Sequence, residues 1–175
     1  MNKEEKSLTI KSYIYGIISV VVLLIADQYT KHLAVANLKG GHDVIIIDKV
    51  LRLHYLENKG AAFGMFQNRQ IVFAVVAVVM VVFVALMYKR IPHTNRYFLI
   101  RFSAVLVVAG AIGNVIDRML LNYVVDFIYF ELINFPVFNV ADIYVVVACI
   151  LFAIGILFYY KDDELEVFSL KKGKK

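Results

Sequence analysis

The chain has 175 residues, of which 61% are hydrophobic and only 19% charged, with a mean hydropathy of +0.73; a soluble domain carries roughly half apolar residues, so this one reads as a polytopic membrane protein. Two prolines and nine glycines exclude a low-complexity or collagen-like chain, and the single cysteine, Cys149, excludes a disulfide framework and any Cys-based zinc or iron–sulfur centre. The net charge of +5 fits lysines and arginines flanking membrane spans better than a nucleic-acid partner.

Four apolar stretches set the expected fold, a mainly α membrane domain with spans at about 12–36, 71–89, 97–121 and 140–160. The second, Ile71 to Tyr88, has no charge and is about 27 Å long as a helix, close to a hydrocarbon core of about 30 Å. With the N-terminus in the cytoplasm, the inner segments hold Lys3, Lys6, Lys11, Lys89, Arg90, Arg96, Arg101, Lys161, Lys171, Lys172, Lys174 and Lys175. The outer side holds Lys31, Lys39, Lys49, Arg52, Lys59, Arg69 and Arg118 over longer loops, so both termini are expected inside. The first stretch runs into DQYTK rather than a small-x-small cleavage site and is expected to be retained.

The outer loops, 37–70 and 122–139, differ in kind. Asp43 to Asn58 alternates Leu51, Leu53 and Tyr55 with Arg52 and His54, and Asp48-Lys49 suits a turn, so a small hairpin or sheet on the membrane surface is expected. NKGAAFG at 58–64 suits a tight backbone path. The second loop is unusually apolar and is expected to lie in the interface or pack on the helices.

This topology gathers polar residues at one face: Asp27 and Lys31 at the outer end of span 1, Asn114, Asp117 and Arg118 at that of span 3, Asn139 and Asp142 at the start of span 4, with Asn58 and Asp126 in the loops. Ionisable groups at membrane depth are costly and so are functional candidates. Each also has a structural reading. Asp27 and Lys31 pair at i, i+4, Asp117 and Arg118 hold a helix end in the interface, Asn114 and Asn139 satisfy loop backbone, and Asp142 is a helix N-terminal carboxylate. Asp126, set among Val124, Val125, Phe127 and Ile128, is the hardest to explain structurally.

Other chemistries are poorly served. His32, His42, His54 and His93 are scattered at no metal-ligand spacing and read as surface residues. Ser103 has no histidine near it in this layout, and Cys149 lacks a basic partner and reads as a buried apolar residue. Paired carboxylates remain. Two that cannot both ionise cheaply keep one proton; the ionised member activates water against an amide, and the protonated one serves the carbonyl oxygen and the leaving amine. The repeated pattern NVID at 114–117 and NVAD at 139–142 points to Asp117 with Asp142. A non-enzymatic carrier using the acids as a proton relay or cation site is the other class. Transport sites usually lie near the bilayer midplane, whereas these acids cluster at one face.

The blocks DQYTK (27–31), NKGAAFG (58–64), GNVIDR (113–118), VVDF (124–127) and FNVAD (138–142), in this order around four spans, resemble the bacterial lipoprotein signal peptidases (type II signal peptidases) over residues 13 to 160. The resemblance implies an aspartic endopeptidase of the bacterial cytoplasmic membrane, cutting the signal peptide from prolipoproteins just before a diacylglyceryl-modified cysteine. It puts the catalytic dyad on Asp126 and Asp142, with Asp27, Lys31, Asn58, Gly60, Ala62, Asn114, Asp117, Arg118 and Asn139 lining or supporting the site. It further implies a surface β-cradle from about Gly40 to Phe66, a periplasmic helix in the second outer loop, and inhibition by globomycin-like cyclic peptides. No cofactor, metal or nucleic acid is expected, and the protein is expected to be a monomer among membrane lipids.

Overall fold

A computed structural model describes residues 3–60 and 70–168. Four of its helices are long and apolar enough to cross a membrane. The first, α1 (Lys3–Leu38), is 36 residues long, far more than the expected span. No glycine or proline interrupts Lys3 to Tyr15, and at 1.5 Å per residue the helix extends about 54 Å, so it projects beyond the bilayer. It stops at Gly40, whose φ of +73° a residue with a Cβ rarely adopts.

The hairpin follows as expected. β1 (Val44–Ile47) pairs antiparallel with β2 (Leu51–Asn58) through a tight turn in which Lys49 has φ +56°. Next come α2 (Gln70–Tyr88), a 3-10 turn at Asn95–Tyr97, and α3 (Phe98–Leu121), which ends on Asn122 in the left-handed region.

The second outer loop differs from expectation. Most of it is a strand, β3 (Val124–Phe130), antiparallel to β2, giving a three-stranded sheet in the order β1-β2-β3. Its helical part is one 3-10 turn, Glu131–Ile133. Val124, Val125, Asp126 and Phe127 are all buried, so this strand faces protein on both sides and lacks the alternation that reveals a half-exposed one. The chain then doubles back. Phe138 exchanges backbone hydrogen bonds with Ile128, and Phe127 N–H also donates to the Phe138 carbonyl. This return brings Asn139 alongside Asp126.

The last span is α4 (Val140–Ile154), continued by a π-helical turn at Gly155–Tyr159, then the short α5 (Asp162–Leu165). Ala141, Ala148 and Gly155, seven residues apart, form the buried line of this span. Cys149 is one residue off that line and is exposed on the bundle's outer surface, contrary to the expectation of burial. Two of the histidines also depart from a simple surface role. His54 pairs with Asp43 at 2.8 Å, and His93 is half-buried against Tyr13 and Tyr88.

α3 is the central helix, with α1, α2 and α4 packed on it. Its buried stripe includes Ser103, Ala109, Gly110 and Gly113. In lipid, where apolar burial gives little drive, such small residues allow the backbone approach from which helices gain packing energy. The approach is close here. A Cβ on Gly110 would lie 2.5 Å from the Ala141 carbonyl oxygen, and one on Gly113 would lie 2.6 Å from Asp27 Oδ2. Gly113→Ala therefore drives a methyl into a buried carboxylate. It should destabilise the protein by about 1–3 kcal/mol, read as a lower melting temperature in detergent; an unchanged melting temperature would contradict this packing.

Candidate active site

Two layers of polar side chains fill the junction between the C-terminal third of α1, the C-terminal part of α3, the N-terminal end of α4 and the sheet. The inner layer is an ion cluster. Lys31 Nζ lies 3.0 Å from Asp27 Oδ2 and 3.0 Å from Asp117 Oδ2, and all three side chains are almost fully buried. Gln28 completes it, donating from Nε2 to Asp27 Oδ2, Asp117 Oδ1 and the Gly113 carbonyl. Gln28 is not among the site residues expected from the sequence. Its signal was a third polar side chain on the same helical turn as Asp27 and Lys31.

Each carboxylate of the cluster also accepts a backbone N–H from another element. Asp27 Oδ1 takes that of Ala141 at 2.9 Å, and Asp117 Oδ2 takes that of Val125 at 3.0 Å. Ala141 immediately precedes Asp142, and Val125 immediately precedes Asp126. The buried ions thus hold the backbone just before both aspartates.

The second layer contains those aspartates. Asp142 sits in the first turn of α4 in a reciprocal cap: Asn139 Oδ1 accepts from Asp142 N–H, and Asp142 Oδ2 accepts from Asn139 N–H, both at 3.1 Å. Asn139 Nδ2 donates to Asp126 Oδ1 at 2.7 Å and to Asn114 Oδ1 at 3.0 Å. One residue therefore bonds to both carboxylates. Asn114 Nδ2 donates to Asp142 Oδ1 at 2.8 Å, while Lys31 Nζ donates to Asn114 Oδ1 at 3.0 Å and links the two layers. On the sheet side, Asn58 Nδ2 donates to Asp126 Oδ2 at 2.7 Å, and Asn58 Oδ1 accepts from the N–H of buried Gly60.

Asp126 is 2% exposed. Burial pushes its carboxyl up to about 7, with the charge of Asp142 adding to the rise and the amides of Asn58 and Asn139 opposing it. Near neutral pH such a group carries its proton about half the time.

The other expected site residues divide. Asp117 is fully engaged by Gln28, Lys31 and Val125, and belongs to the inner layer rather than pairing with Asp142. Arg118 donates from Nη1 to the Asn114 carbonyl and lies over the Phe73 ring at 5.4 Å; it forms no ion pair among the described residues. Ala62 lies outside the described residues, as does the rest of the NKGAAFG block after Gly60. Among the described residues no group of His, Cys, Asp or Glu is arranged to hold a metal ion. Two carboxylates, one largely desolvated, joined through a shared asparagine and backed by fixed amide donors, suit proton transfer to and from a water and a carbonyl.

Comparison with known proteins extends this picture. A family model described as signal peptidase (SPase) II matches residues 19–158. A lipoprotein signal peptidase of Clostridium tetani is 37% identical over 153 residues, covering 86% of this chain and 95% of that protein. One from Clostridioides difficile is 40% identical over 143 residues, covering 81% and 95%. A bacterial membrane enzyme structure obtained by the in meso method at 2.3 Å resolution superposes with a TM-score of 0.69 at 27% identity, covering 92% of this chain and 93% of that one.

The ion cluster makes a distinct prediction. Lys31→Met leaves two buried carboxylates without their cation and should cost about 3–5 kcal/mol, lowering yield and melting temperature. Lys31→Met combined with Asp117→Asn removes one of the stranded charges and should melt higher than Lys31→Met alone. A double variant no more stable than the single would show that the ion pairs are not what holds this junction.

Proposed function

From the premise that the chain belongs to the signal peptidase II family, and so is a peptidase and a multi-pass bacterial membrane protein, we propose that it removes signal peptides from prolipoproteins with Asp126 and Asp142 as its catalytic dyad. The observation that carries this reading is Asn139, which binds Asp126 with its side chain and Asp142 with its backbone N–H. A pair joined in this way titrates as a unit with two macroscopic ionisations.

The proton belongs on Asp126, the more deeply buried member. Asp142 lies at the N-terminus of α4 among backbone and amide donors. It takes a proton from a water molecule as the water oxygen bonds to the scissile carbonyl carbon, while Asp126 gives its proton to the carbonyl oxygen. Collapse of the tetrahedral intermediate breaks the carbon–nitrogen bond. The amine leaves with the proton held by Asp142, and a hydroxyl proton of the intermediate returns to Asp126. Asn58, Asn114 and Asn139 hold the two carboxyls at fixed angles through this exchange, and Lys31 balances the negative charge behind them.

Both termini lie in the cytoplasm and the dyad lies at the outer face, on the strength of the lysine and arginine distribution. A dyad at that depth reaches only bonds held there. Two acyl chains on the cysteine after the cleavage site supply the anchor, each buried methylene contributing about 0.8 kcal/mol. The substrate is accordingly a diacylglyceryl-modified prolipoprotein, the working unit is a monomer among membrane lipids, and globomycin-like cyclic peptides occupy the same site.

The test is cleavage of a purified lipidated prolipoprotein, read as loss of the signal-peptide mass. Asp126→Asn and Asp142→Asn should each abolish it in folded protein, since Asn neither activates water nor donates an acid proton. An otherwise identical substrate without diacylglycerol should be cut about tenfold less efficiently, a barrier difference of about 1.4 kcal/mol. Turnover by either dyad variant overturns the assignment. Equal rates on both substrates refute the lipid anchor alone.

The pH profile offers a separate check. With Asp126 as the acid, kcat/KM should fall as pH rises through about 7. Asn58→Leu removes a donor that favours the ionised form, so the remaining activity should persist to higher pH than in the parent. A limb that stays in place or moves to lower pH would contradict the acid role of Asp126.

A further inference from the structure

α1 and α2 both pack on α3 and make little contact with each other, leaving a cleft at the end of the bundle away from the dyad. The cleft has a volume of about 310 Å³ and a wall of Gly16, Val20, Val84, Ala85, Val105 and Val108. At its end the chain changes character. Tyr13 and Tyr88 rings meet at 5.5 Å, Ser12 Oγ and Tyr88 Oη lie 3.4 Å apart, and Lys89 itself lines the cavity.

The surroundings of that end are cationic and unsatisfied. Lys89, which lines the cleft, and Arg90 next to it in the chain are exposed and form no ion pair among the described residues. His93, packed on Tyr13 and Tyr88, buries Nδ1 without a hydrogen-bond partner among them. An aliphatic slot inside the bilayer has no water to fill it, and an empty slot forfeits dispersion contacts along its walls. A cationic, aromatic rim at the level where lipid headgroups begin selects what enters.

We propose that this cleft is a binding site for one anionic glycerophospholipid of the bilayer, an acyl chain lying between α1 and α2 on α3 and the phosphate held by Lys89 with the adjacent Arg90. Charge complementarity favours this occupant over a signal peptide, whose leading segment is itself positive and is repelled by the same rim. The site uses none of the residues around Asp126 and Asp142, so it stands or falls independently of the peptidase mechanism.

The test is native mass spectrometry of the full chain in detergent with added phosphatidylglycerol or phosphatidylcholine of identical acyl chains. One phosphatidylglycerol should be retained per chain, at about tenfold lower concentration than phosphatidylcholine requires. Lys89→Gln with Arg90→Gln should abolish that preference. Ala85→Phe, which fills the cleft from α2, should abolish retention of both lipids, and Val20→Phe does so from α1 should Ala85→Phe fail to fold. Each variant should keep peptidase activity. Equal retention of the two lipids, a preference that survives loss of both charges, or displacement of phosphatidylglycerol by a synthetic signal peptide would each overturn the proposal.

Discussion

A lysine buried between two aspartates sets the geometry on which the rest of this protein depends. Lys31 alone is an ammonium that no apolar bundle could accept, and Asp27 and Asp117 are carboxylates in the same position. Together they are tolerable, and each carboxylate spends a remaining lone pair on a backbone amide of a different element. Those amides belong to the residues directly before Asp142 and Asp126. The cluster therefore fixes the start of α4 and the buried strand β3 to one point on the C-terminal third of α1. Small residues on α3 make the approach possible, since any Cβ at 113 would occupy the space of Asp27.

The proposed chemistry uses this rigidity. Carboxylates on two elements share a proton usefully only if their separation is held, and here the return of the chain from Ile128 to Phe138 carries Asn139 between them. The asparagines contribute donors without adding charge. Positive charge sits one layer further back, on Lys31, where it reaches the pair through Asn114. That arrangement leaves Asp126 free to remain protonated near neutral pH, which a directly bonded cation would prevent.

The four spans were legible in the sequence because hydropathy is a local property. So were the hairpin, from its alternation and its Asp48-Lys49 turn, and the gathering of acids at one face, from helix direction alone. β3 was not legible as a strand, because burial on both faces removes the alternation that marks strands and leaves VVDFIYF looking like an interfacial loop. The partners of Asp117 were equally hidden, although its supporting role was not. The likeness of NVID to NVAD suggested a pair with Asp142, but the partners of Asp117 come from residues 28, 31 and 125, a register set only by tertiary folding. Cys149 was misplaced by one step around a helix, since the buried line of α4 is narrow and a residue next to it faces out.

In the proposed mechanism the buried ions position Asp126 and Asp142 rather than merely stabilise the bundle. That claim is tested most directly by the cleavage kinetics of Asp117→Asn and Asp117→Ala in protein that remains folded. Asn keeps an oxygen able to accept the Val125 N–H, and that variant should retain most of its kcat while losing thermal stability. Ala keeps none and frees the strand before Asp126, so kcat should fall about a hundredfold with KM little changed. A folded Asp117→Ala protein with the kcat of the parent would contradict the claim and leave the cluster a structural feature only.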